Sequence, residues 1–253
     1  MNEDQPTVQG EDATASQPAV AAITMPSVAE ATAATYAQML REIRSWGLWL
    51  LALGAIHLVA SGFLSSPWGI LLLVVGLASF YFREAAMFVI YGVTLSWAAI
   101  SNLLSGEVTW LFFALIQLFF AFQTFRQFLR FRRTQAEAAI LGEEALGSSL
   151  MPERAARVFP WTGCILGALA LVGVVAFIVW VVILFGFMEA AALPDFADWL
   201  IGLVVNVGVL GLAVSLASLL SGHRYKPLAI LGIVASSLVL LAWLALLVMT
   251  LLG

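Results

Sequence analysis

Chemistry in this 253-residue chain has few carriers: two histidines, one cysteine and a tight group of arginines. His57 lies inside an apolar run, between Ile56 and Leu58. Hydrocarbon satisfies neither the donor nor the acceptor of an imidazole, so a histidine in a span is a candidate for a proton step or for holding a polar solute. Counting about 1.5 Å per residue from the start of its run places His57 roughly 18 Å deep. The same count brings Gln117 and Asn206 to a similar level, with Thr94 near it. His57, Thr94, Gln117 and Asn206 are therefore the candidate binding residues, expected to form a mid-membrane polar layer. The plain alternative is hydrogen bonding between helices, which averages about 0.6 kcal/mol per contact. It is the favoured reading, because a proton relay normally draws on carboxylates and no Asp or Glu falls within an apolar run.

The second constellation is Arg126, Arg130, Arg132 and Arg133, interleaved with Phe125, Phe128, Leu129 and Phe131. Arg126, Arg130 and Arg133 are spaced four and three apart and share one helix face. Such a group beside a span can hold anionic lipid head groups, and these four are the candidate lipid-binding residues. An orientation anchor with snorkelling side chains explains the same pattern and is preferred, since every multi-span protein needs that signal.

Other chemistry is excluded. Cys164, the single cysteine, permits neither an intramolecular disulfide nor a cysteine-cluster metal site. No glycine-rich loop ends in Gly-Lys, and no His-Glu-x-x-His pair is present. The last apolar run has no lysine for a retinal Schiff base. The expectation is no catalytic residue, no metal, no cofactor and no enzymatic activity. A formal charge of −4, from 11 basic and 15 acidic residues, gives no basic excess for nucleic acid.

The elements that must position these residues follow from composition. Of all residues 62% are hydrophobic and 10% charged, with mean hydropathy +1.02. Soluble domains carry about 25% charged residues, so the chain belongs in a bilayer. Seven runs lack Asp, Glu, Lys and Arg: 46–63, 67–82, 85–104, 108–125, 160–187, 199–220 and 228–252. A spanning helix needs about 20 apolar residues. The expected fold is all-α, a polytopic bundle of seven transmembrane helices divided four plus three. The run 67–82 is short. Reading it with 85–104 as a re-entrant hairpin would leave Arg83 and Glu84 in the bilayer, at about 2.5–3.5 kcal/mol for such a residue at a helix centre. Seven spans are preferred. With the amino terminus cytoplasmic, all 11 basic residues fall on that side, while the outer segments hold Glu107, Glu189, Asp195 and Asp198. The positive-inside pattern then puts the carboxyl terminus outside.

Residues 1–26 read as a disordered acidic tail without the basic and apolar regions of a cleaved signal peptide. Ser27 and Glu30 form a capping box that opens a juxtamembrane helix over 27–45, whose Tyr36, Met39, Leu40 and Ile43 share a face suited to the membrane surface. A four-span unit follows over 46–133, its last helix extended because Gln123–Leu141 has no Gly or Pro. Residues 134–159 are the cytoplasmic linker and 160–253 the three-span unit. Trp46-Gly47-Leu48, Leu51 and Gly54 recur as Trp68-Gly69-Ile70, Leu73 and Gly76, a repeat read as chance or packing convergence. Gly202, Gly208, Gly211, Ser215, Ser218, Gly232, Ala235 and Ser236 allow close helix approach. The last pair of helices, joined by His223–Pro227, resembles small bacterial two-span domains with a basic turn, and no motif in it transfers a function.

The function expected is that of an accessory or structural membrane subunit. Its partners are the lipid bilayer, anionic lipids included, and a membrane protein or a second copy. The other class is a carrier or channel for a small, weakly polar solute passing the His57 layer. The expected location is a plasma membrane, and the short loops are of a bacterial kind.

Overall fold

The computed structural model describes residues 28–61, 67–82, 84–104, 108–141, 152–187, 194–223 and 225–252. The described residues form seven helices: α1 (Val28–Ser61), α2 (Pro67–Tyr81), α3 (Ala86–Leu104), α4 (Val108–Leu141), α5 (Pro152–Phe187), α6 (Pro194–Leu220) and α7 (Lys226–Leu252). The tail 1–26 lies outside the described residues, as do 142–151 of the linker.

Five helices contain segments long and apolar enough to cross a membrane: Ala86–Leu104, Leu111–Thr134, Arg157–Trp180, Trp199–Leu220 and Lys226–Met249. α2 is apolar but has only 15 residues, which at about 1.5 Å each rise less than the roughly 30 Å of a hydrocarbon core. α1 carries Arg41, Glu42 and Arg44 in its first half and is not among the five.

α1 runs unbroken over its 34 residues from Val28, and the expected cap at Ser27 lies outside the described residues. Its Tyr36, Met39 and Ile43 are buried in one cluster with Ala85–Tyr91, with Phe128 and Phe131 of α4, and with Phe159 of α5. Protein, not lipid head groups, covers that face. An amphipathic period announces an apolar stripe without saying which apolar surface will meet it. Tyr91 reinforces the contact by donating its hydroxyl to the Ile43 carbonyl at 3.1 Å. α4 continues to Leu141, as the lack of helix breakers predicts.

Packing explains the repeat. A Cβ on Gly54 would sit 2.9 Å from the Gly69 carbonyl oxygen, and one on Gly76 would sit 2.9 Å from that of Gly47. The leucines reciprocate: Leu73 covers Gly54, and Leu51 covers Gly76. α1 and α2 are thus related by a local two-fold in which each Trp-Gly copy packs on the other. An antiparallel pair related in this way asks the same letters of both helices, so the repeat follows from the interface itself. Without a hydrophobic drive between helices in lipid, such backbone-level approach is a main source of attraction.

α5, α6 and α7 pack against one another as a second unit. A Cβ on Gly211 would lie 2.8 Å from the Gly167 nitrogen, one on Gly167 2.9 Å from the Gly232 oxygen, and one on Gly232 2.9 Å from the Gly163 carbonyl carbon. α6 also packs on α3 and α2, while α1 packs on α2 and α4 and α3 on α4.

Candidate polar sites and the unit junction

The four candidate polar residues do not assemble into one layer. Trp97 of α3 donates its indole N–H to Asn206 Oδ1 of α6 at 3.3 Å. Asn102 of α3 donates to Gln117 Oε1 of α4 at 2.8 Å. Thr94 is fully buried on α3, and its hydroxyl has no hydrogen-bond partner. His57 is half-buried on α1 and bonds to none of the other three. Depth counting places residues at one height; it carries no information on azimuth, and α1 packs on α2 and α4 while Asn206 faces α3.

Sequence reasoning passed over Trp97 and Asn102, the donors to Asn206 and Gln117. A signal was present for Trp97, since an indole N–H in the middle of an apolar run must find an acceptor. For Asn102, at the end of its run, the type of residue alone says nothing about its partner.

Arg126, Arg130, Arg132 and Arg133 are all exposed on α4, whereas Phe128 and Phe131 between them are buried. The Arg130 guanidinium lies 5.3 Å from the Phe131 ring centroid. The aromatic interleaving is therefore the inward face of α4, and the charges form a separate outward one.

The best-defined polar cluster was not anticipated. Glu84, just before α3, is 2% exposed, and His223, just after α6, is 7% exposed. His223 Nε2 approaches Glu84 Oε2 to 3.3 Å. The contact is an ion-pair approach and not a well-aligned hydrogen bond, since both carboxylate oxygens lack a hydrogen-bond partner. His223 Nδ1 lies 3.2 Å from the Ser218 hydroxyl. The Phe159 ring packs 5.9 Å from the imidazole and 4.7 Å from Phe82.

Local sequence builds this site. α6 ends at Gly222, whose φ of 74° is the left-handed conformation that only glycine adopts freely. The Gly222 N–H bonds to the Leu219 carbonyl and the His223 N–H to the Ser218 carbonyl, both at 3.2 Å. That is a Schellman cap, and it folds His223 back over the last turn so that its backbone and ring both meet Ser218. On the other side, the Glu84 carbonyl accepts the Met87 N–H at 3.0 Å and opens α3. Ser-Gly after an apolar run signals a cap, but nothing local links it to an acid on another helix pair. The cluster offers one carboxylate and one imidazole, and among the described residues no third His, Cys, Asp or Glu joins them.

A half-open cleft of about 60 Å³ lies between α5, α6 and α7, walled by Phe177, Ile201, Val204, Trp243 and other apolar side chains. Trp243 separates it from Trp97, the two rings being 5.1 Å apart. With no polar group in its wall, the cleft has nothing to orient a polar solute. No protein-family model, no curated protein and no solved structure matches the chain.

Proposed function

We propose that the chain is a non-catalytic integral membrane protein, an accessory or structural subunit whose partners are lipids and another membrane protein or a second copy. It crosses the bilayer seven times, four plus three, with the amino terminus cytoplasmic and the carboxyl terminus external. Its place is a plasma membrane of bacterial type. The observation that carries the functional reading is the use made of the polar side chains in the apolar helices. Asn206 and Gln117 are engaged by Trp97 and Asn102 across helix contacts. Polar groups consumed in helix packing are not available to pass a solute. The orientation is supported by the placement of all 11 basic residues on one side of seven runs. The exposed arginines of α4 supply a face for anionic head groups, worth about 1 kcal/mol per basic residue near the surface.

A carrier centred on His57 would need a wet route joining it to the other polar groups, and its separation from Asn206 favours the structural reading. The test is His57→Asn, which keeps a donor and an acceptor but does not titrate near neutrality. The expected result is an inserted protein of unchanged stability, purified with the same lipids and membrane proteins as the parent. A pH-dependent solute flux in reconstituted vesicles that disappears in folded His57→Asn would overturn the proposal in favour of transport.

A further inference from the structure

The exposed side chains of α4 change character in an ordered way along one face. At 3.6 residues per turn, Arg126, Arg130 and Arg133 fall within an arc of about 80°. Phe112, Leu115, Phe119 and Phe122 share that arc, and all seven side chains are exposed. Ala121, Phe128 and Phe131 mark the opposite face, which is buried in the core. One outward stripe therefore runs from carbon over about 15 Å to guanidinium over about 10 Å. Glu137, exposed on the same arc one turn past Arg133, reverses the sign and ends the cationic stretch. Arg132 is exposed as well but sits about 120° round the helix from Arg126, off the stripe.

An amphiphile fits both halves of this stripe. A free anion would use the arginines and leave the carbon below them idle, and a long polyanion would run on against Glu137. The spacing also bears on the head group. A guanidinium fork takes one phosphate bidentately, and a lipid with a single phosphate presents it at one depth. Arg130 and Arg133 stand about 6 and 10 Å beyond Arg126 along the axis. The stripe thus has a place for a second phosphate, further from hydrocarbon than the first.

We propose that the outward stripe of α4 is a binding site for one lipid whose head group carries two phosphates in series. Arg126 meets the inner phosphate and Arg133 the outer, with Arg130 between them, while the hydrocarbon chain lies along Phe122 and Phe119 toward Phe112. The site rests on the reading above, in which α4 crosses the bilayer with its arginine end among anionic head groups, and it names the class of lipid held there.

The test is native mass spectrometry of the full chain in detergent, offered equimolar dioleoylglycerol diphosphate and dioleoyl phosphatidic acid, which differ by the second phosphate. A separate mixture of dioleoyl phosphatidylglycerol and dioleoyl phosphatidylcholine reads the preference for anionic head groups in general. The diphosphate lipid should be bound about fivefold more than phosphatidic acid, the gain of one further basic contact near the surface. Arg133→Gln should bring that ratio close to one. Arg132→Gln removes the same charge one residue away, off the stripe, and should keep the ratio. Each change takes away one of 11 basic residues and keeps a good helix former, so fold and insertion are retained. Inorganic diphosphate at the concentration of the lipid should displace none of it. Displacement would mean a site for a free anion and would overturn the proposal. So would a ratio that survives Arg133→Gln or is lost equally in Arg132→Gln. Equal binding of the two phosphate lipids, with phosphatidylglycerol still favoured over phosphatidylcholine, overturns the diphosphate site alone. Loss of that second preference overturns the anionic-lipid reading with it.

Discussion

Trp97 shows what a single polar contact does in a bundle of this kind. Its indole N–H has no water to turn to in hydrocarbon, so the bond to Asn206 ties α3 to α6 and hence one helical unit to the other. The value of such a bond is modest, because a helix released into the membrane finds other partners. Asn206→Leu should therefore lower stability by about 0.6 to 2 kcal/mol, read as an earlier midpoint in denaturing-detergent titration. An unchanged midpoint would mean that the 3.3 Å contact contributes nothing to holding the units together. Residue types alone announced that Asn206, Gln117, Thr94 and His57 must each be accommodated somewhere. They did not announce by whom, and the two donors, Trp97 and Asn102, came from the tertiary contact of α3 with α6 and α4.

Helices are the scale at which composition speaks most plainly. Charge-free runs and the uninterrupted stretch to Leu141 both anticipate observed elements. What they leave open is which surface each stripe meets, as α1 illustrates: Tyr36, Met39 and Ile43 pack on α3, α4 and α5 elements of the core and not on lipid. Glycine decides the closest of these meetings. A Cβ at residue 211 would lie 2.8 Å from the backbone nitrogen of Gly167 and 2.8 Å from the Ser236 hydroxyl oxygen. Backbone cannot retreat as a flexible side chain can, so Gly211→Val should separate α5 from α6 and destabilise the protein by about 1–3 kcal/mol. Ala168→Val, on the exposed face of α5, is the control and should leave the unfolding midpoint where it is. Equal effects of the two changes would mean that close approach at Gly211 is not what holds the three-helix unit.

In the whole molecule α6 packs on α2 and α3 as well as on α5 and α7, and the crossings proposed for the chain rest on charge. Seven crossings predict that Ser65→Cys, between α1 and α2 in the sequence, reacts with a membrane-impermeant thiol reagent from outside. They also predict that a reporter following Gly253 is external while one placed within 134–150 is cytoplasmic. Protection of the cysteine at 65 would leave α1 and α2 as a hairpin that does not cross, consistent with the shortness of α2. A cytoplasmic reporter after Gly253 would overturn the orientation as well. Hydropathy and charge act residue by residue and add along the chain, and so the helices and their order could be read from the letters alone. The azimuth of each helix depends on shape complementarity between surfaces distant in sequence. Only the folded chain therefore turned a repeated Trp-Gly pattern into a two-fold helix pair, split a level of polar residues into separate bonds, and set the capped His223 against Glu84.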